Sequence, residues 1–174
     1  MAVSKTVTIP VEDFKDALRL ADKFNVQTGA VNARKVKAVL TEAVGFLISV
    51  TPVLAEGGKI NVGSPYHDDL FLDRKTAQAL AQKKDKTAYL SGKTDVQVSQ
   101  KTSKKLSSLR RDFQLASNGA AAALALRVYD RLCDNLWRGN NFSMTDKDGK
   151  GVPLEADTIK ETRIRGWNTS FGRD

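Results

Sequence analysis

An apolar/polar alternation with a period of two, running directly into a helical pattern, occurs twice in this chain and limits its folds more than any other feature. In KTVTIP, Val7 and Ile9 alternate with Thr6 and Thr8; in DVQVSQ, Val96 and Val98 alternate with Gln97 and Ser99. A period of two gives a strand one apolar face and one polar face. Strands this short cannot hide the apolar face alone, so each needs a partner strand and helices to cover it.

Helical patterns follow both strands. Pro10 stands where the first turn of a helix tolerates it, because the missing N–H would have no partner there. VEDFKDALRLADKFN then spaces Phe14, Ala17, Leu18, Ala21 and Phe24 along one face. Gly29 ends the turn and Asn32 caps a second helix carrying Val36, Val39, Leu40, Ala43, Val44 and Leu47 as far as Ile48. In the second copy the spacing predicts a basic helix over 104–116, with Leu106, Leu109, Phe113 and Ala116 on one face. A break at Asn118-Gly119 leads to an alanine-rich helix from Ala120, striped by Leu124, Val128, Leu132 and Leu136. This copy has no Pro at the strand–helix junction and no Ser, Thr, Asn or Asp immediately before Ala120. Its outward pair reads as Gln97/Ser99 or, after a slip of one residue, as Val98/Gln100, since such a slip exchanges the two faces.

Strand, helix, turn, helix, twice over about half the chain, resembles the ribbon-helix-helix family of small DNA-binding proteins, and KTVTIPVEDF is the best single piece of the likeness. The resemblance implies a mainly α fold with short β-ribbon strands. Residues 1–50 and 95–138 would be two strand-helix-helix units, 51–94 a connector containing one helix capped by Asp73, and 139–174 a polar C-terminal extension. In that family, paired strands enter the major groove and outward side chains read base edges. Carried over, the base contacts would be Thr6, Thr8, Gln97 and Ser99, with Arg34, Lys35, Lys101, Lys104, Lys105, Arg110 and Arg111 on phosphates. Members of the family act as transcriptional repressors or as accessory factors at plasmid transfer or partition sites. The connector is long enough for the two units to pair within one chain or between the chains of a homodimer.

Charge supports a nucleic-acid partner. The formal net charge is +8, yet residues 1–72 hold eight Lys/Arg against eight Asp/Glu, and residues 139–174 hold six against six. The whole excess lies in 73–138, where fourteen basic residues face six acidic ones. Clustered cations beside a candidate reading strand attract a phosphate backbone in a salt-sensitive, sequence-independent way. Near the end, Arg163, Arg165, Trp167, Phe171 and Arg173 interleave aromatics with cations, a composition that suits stacking on bases or docking on a partner.

Other classes find less support. A single cysteine and a single histidine supply neither an internal disulfide nor a zinc site, and Cys133 falls at core spacing with Leu126, Tyr129 and Leu136. Gly92-Lys93-Thr94 lacks the upstream glycine of a phosphate-binding loop and precedes a strand, not a helix. TDKDGKGVPLEAD has Lys150 and Asp157 where a calcium loop needs an oxygen ligand and Glu, so a hairpin at Asp148-Gly149 is expected there. Lys59-Ile60-Asn61-Val62 reads as a short strand. The longest apolar stretch, Ala43–Ala55, is interrupted by Gly, Ser, Thr and Pro, and no secretory signal is visible, so a cytoplasmic protein without a membrane partner is expected. No constellation for catalysis, metal or cofactor stands out. The alternative to sequence-specific duplex binding is a small helical backbone-binding subunit of a ribonucleoprotein, such as an RNA-guided defence complex, or of a phage assembly. An adaptor for an acidic protein is a third.

Overall fold

The computed structural model describes residues 3–23, 32–64, 67–81, 92–137 and 141–152. In chain order they form β1 (Ser4–Pro10), α1 (Val11–Lys23), α2 (Asn32–Ala55), β2 (Lys59–Ser64), β3 (His67–Leu72) and α3 (Arg74–Ala81). There follow β4 (Lys93–Ser99), α4 (Gln100–Asp112), α5 (Asn118–Trp137), β5 (Asn141–Thr145) and β6 (Gly151–Val152). The molecule is mainly helical, with two small antiparallel sheets.

Strands β1 and β4 pair within the chain, in the register Thr6↔Gln97, Val7↔Val96 and Thr8↔Asp95. Alternation then decides which face is buried. Val7, Ile9, Val96 and Val98 are at most 3% exposed, while Thr6, Thr8, Asp95 and Gln97 face solvent. Of the two frames open for the second strand, the one with Gln97 outward and Val98 inward is observed. Helices cover the apolar face crosswise, α5 packing on β1 and α2 on β4, and α2 and α5 also pack on each other. The small residues Ala121, Ala122, Ala123 and Ala125, all buried, let α5 approach closely.

Three helices have boundaries that differ from expectation. Helix α2 runs through Pro52 to Ala55 instead of ending near Ile48. It stops in a Schellman turn: Gly57, at φ 92°, donates to the Leu54 carbonyl, and Gly58 donates to that of Val53. By length and composition α2 can cross a membrane; here ten of its residues are buried within the protein. Helix α4 starts at Gln100, not Lys104, because the Ser99 hydroxyl accepts the Thr102 N–H at 3.1 Å and caps it. It ends at Asp112, followed by Gln114 in the left-handed region. Helix α5 starts at Asn118, with Ser117 supplying the cap through its hydroxyl to the Ala120 N–H at 3.0 Å. The expected cap of α3 is present, the Asp73 carboxylate accepting the Thr76 N–H at 2.8 Å.

One arginine joins α1, α3 and α5. Arg127 of α5 makes a two-bond ion pair with Asp13 of α1 (2.9 and 3.0 Å) and donates to the carbonyls of Leu80 and Ala81 at the end of α3. From the other side, Arg74 and Gln78 of α3 donate to the Asp112 and Phe113 carbonyls that end α4. The second sheet, in the order β3-β2-β5-β6, joins the segment after α2 to the segment after α5. Its β5–β6 hairpin turns at Asp148-Gly149, with Gly149 at φ 80°. Cys133 is buried, as its spacing predicts. Phe24, Gly29 and the Arg163–Arg173 aromatic and basic group lie outside the described residues.

Two glycines offer a contrast. A Cβ on Gly119 would lie 2.1 Å from the Thr8 carbonyl oxygen, a backbone atom that cannot swing aside, whereas one on Gly45 in α2 would meet nothing within 4 Å. Gly119→Ala is expected to destabilise the fold by about 1–3 kcal/mol; Gly45→Ala should stabilise it by about 0.5–1 kcal/mol, both read by urea denaturation.

A second test concerns Asp130. Burial, reinforced by Asp16 and Asp134, outweighs the attraction of Arg19 and Lys23 and pushes its pKa from 3.8 up to about 6. Between these values the folded protein holds a proton that the unfolded chain has lost, so this group's contribution declines as pH rises. The melting-temperature difference, wild type minus Asp130→Asn, should therefore fall from pH 4 to pH 6 and level off above pH 7.

Candidate nucleic-acid interface

The solvent face of the β1–β4 ribbon is polar and internally braced. The Gln97 side-chain amide donates to the Thr6 hydroxyl at 2.8 Å, and the Thr8 hydroxyl donates to the Asp95 carboxylate at 2.7 Å. These two cross-strand bonds set the directions of four side chains without exhausting them. An amide has a second N–H and an acceptor oxygen, a hydroxyl that accepts can also donate, and a carboxylate has two oxygens. The result is a narrow platform offering donors and acceptors on a rigid backbone.

Thr6, Thr8 and Gln97 therefore sit together, as the sequence predicts. Ser99 does not join them as a reader: it is half-buried at the end of the ribbon, and its hydroxyl is used in the α4 cap and in a 3.0 Å bond with the Thr102 hydroxyl. The fourth outward position in the middle of the ribbon is Asp95, opposite Thr8. Period-two counting back from Gln97 reaches Asp95, and then Lys93, which is also exposed; that count would have found both.

Helix α4, which follows β4 directly, carries five cations. Thr102, Leu106 and Leu109 turn into the core, which leaves Lys101, Lys104, Arg110 and Arg111 exposed and Lys105 half-buried. None of the five makes an ion pair with a described residue. In the other half Arg34 is exposed at the start of α2, and Lys35 pairs with Asp22 at 2.9 Å. The first turn of α5 touches the ribbon directly, since Gly119 packs on the Thr8 backbone. Its N-terminal amides thus lie near the ribbon, where a helix start favours anions.

Among the described residues no group of three or more His, Cys, Asp or Glu side chains is placed to hold a metal ion. Comparison with protein-family models, with curated proteins and with solved structures yields no significant match.

Because the ribbon's outward bonds are exposed, they add little to stability. Asp95→Ala and Thr8→Ala are each expected to change unfolding free energy by less than about 1 kcal/mol, measured by urea denaturation, so that any loss of binding in these variants reports on the interface.

Proposed function

We propose that this chain is a sequence-specific double-stranded DNA-binding protein of tandem ribbon-helix-helix type, which acts by docking and not by catalysis. The observation that carries the reading is the intrachain antiparallel ribbon, apolar beneath and polar above. The major groove admits a two-stranded ribbon of this kind.

The element boundaries support two copies of one unit. Displaced by 89 residues, Ser4–Pro10 becomes Lys93–Ser99 and Val11–Lys23 becomes Gln100–Asp112, which are the bounds of β4 and α4. Buried positions correspond as well: Asp13, Ala17 and Leu20 fall on Thr102, Leu106 and Leu109. In this reading Thr6, Thr8, Asp95 and Gln97 face base edges. Gln97 suits adenine, Asp95 accepts from the cytosine amino group, and the threonines serve either base or the thymine methyl. Lys101, Lys104, Lys105, Arg110 and Arg111 hold phosphates and give affinity without sequence preference. A repressor or an accessory factor at a plasmid transfer or partition site fits such a protein.

Fluorescence-anisotropy titration of random duplex, single-stranded DNA and RNA at two salt concentrations, followed by selection from a random duplex library, tests the proposal. An enriched duplex motif is expected. Gln97→Ala should change the preference, while Lys104→Ala and Lys105→Ala should weaken all duplexes alike and each lower the salt slope by about 0.9. Equal losses for Gln97→Ala on cognate and random duplex would remove the ribbon from the recognition surface. Preference for single strands or RNA with no motif would favour a backbone-binding subunit of a ribonucleoprotein or phage assembly.

A further inference from the structure

The two halves that the 89-residue displacement relates are alike in their cores and opposite in their charge. Glu12 of α1 corresponds to Lys101 of α4, Asp16 to Lys105 and Asp22 to Arg111. Three carboxylates in one half thus stand where the other has three cations. Lys23 against Asp112 runs the other way, and Lys15 and Lys104 match, lysine in both and exposed in both.

Packing accounts for the inversion. Helix α3 packs on α5; its C-terminal carbonyls meet Arg127 beside Asp13 of α1, and its N-terminal part reaches α4 only at the backbone carbonyls of Asp112 and Phe113, not at the α4 cations. Glu12, Asp13 and Asp16 line a small cleft there with Leu80, Asp130 and two arginines, Arg127 and Arg131. The acidic side of α1 is therefore turned to internal work, Asp13 neutralising the half-buried Arg127. Asp22 is likewise used, on Lys35. The α4 cations make no ion pair with a described residue, and all but the half-buried Lys105 are exposed.

Building on the ribbon reading above, we propose that the protein grips a non-palindromic duplex in one fixed orientation, with its phosphate contacts concentrated on the half beneath α4. A phosphate near α1 meets a local field close to neutral or negative, while one near α4 meets clustered positive charge. The ribbon adds to the polarity, since Thr6 and Thr8 on β1 correspond to Asp95 and Gln97 on β4. A symmetric site would place the same bases under unlike side chains.

Lys15→Gln and Lys104→Gln make a matched pair that removes the same group from corresponding exposed positions. On the duplex obtained by selection, Lys104→Gln is expected to lose about fivefold or more in affinity and about 0.9 in salt slope, and Lys15→Gln to stay within about twofold. Ethylation interference on the wild-type complex should be skewed to one side of the motif centre, and circular dichroism should show both variants folded. Equal losses, or interference symmetric about the centre of a palindromic motif, would overturn the fixed orientation while leaving duplex recognition intact. Failure to enrich any duplex motif would overturn both.

Discussion

Four aliphatic side chains, Val7, Ile9, Val96 and Val98, leave water only when two distant segments of the chain come together as β1 and β4. Burying them contributes about 6–12 kcal/mol in total. Bringing the segments together costs more entropy than closing a tight hairpin, but the excess grows only logarithmically, to about 2–3 kcal/mol even if everything between were flexible. Burial wins, provided the helices roof the ribbon. The crosswise packing of α5 on β1 and α2 on β4 supplies that roof and makes the two segments mutually dependent.

Arg127 performs a different task. A guanidinium in the interior is tolerable only when its charge is neutralised and its N–H groups are used, and here Asp13 and two α3 carbonyls do both. The same contacts fix α3 against α1 and α5, so an element outside the paired strands is held to the core by polar and not only apolar forces. Because Asp13 is 3% exposed and Arg127 13%, removing either one would take away the main countercharge of a group largely withdrawn from water.

What could be read in advance depended on how strongly each residue declared a period. KTVTIP carries its faces openly, since threonine and valine alternate and Pro10 marks the junction. In VQVSQK the polar residues after Val98 are alike, so the frame was settled only by pairing with β1. The early start of α4 was hidden because KTSKK contains no apolar residue to mark a helix; the signal was Ser99 placed three before Thr102. The apolar stripe is counted only as far as Ile48, yet α2 continues through Pro52 to Ala55, and Gly57 and Gly58 end it. Asp95 looked like the edge of a strand and proved to be in its middle. The Asp13–Arg127 pair joins residues more than a hundred positions apart, and no local pattern announces it.

Pairing β1 with β4 inside one polypeptide also changes how the ribbon responds to dilution. When a ribbon is assembled from two separate chains, its folded population falls with protein concentration, because folding and association are one equilibrium. Here the partner strand is tethered, and its local concentration is set by the intervening chain and not by the number of molecules in solution. The ribbon therefore remains assembled in a compartment holding only a few copies.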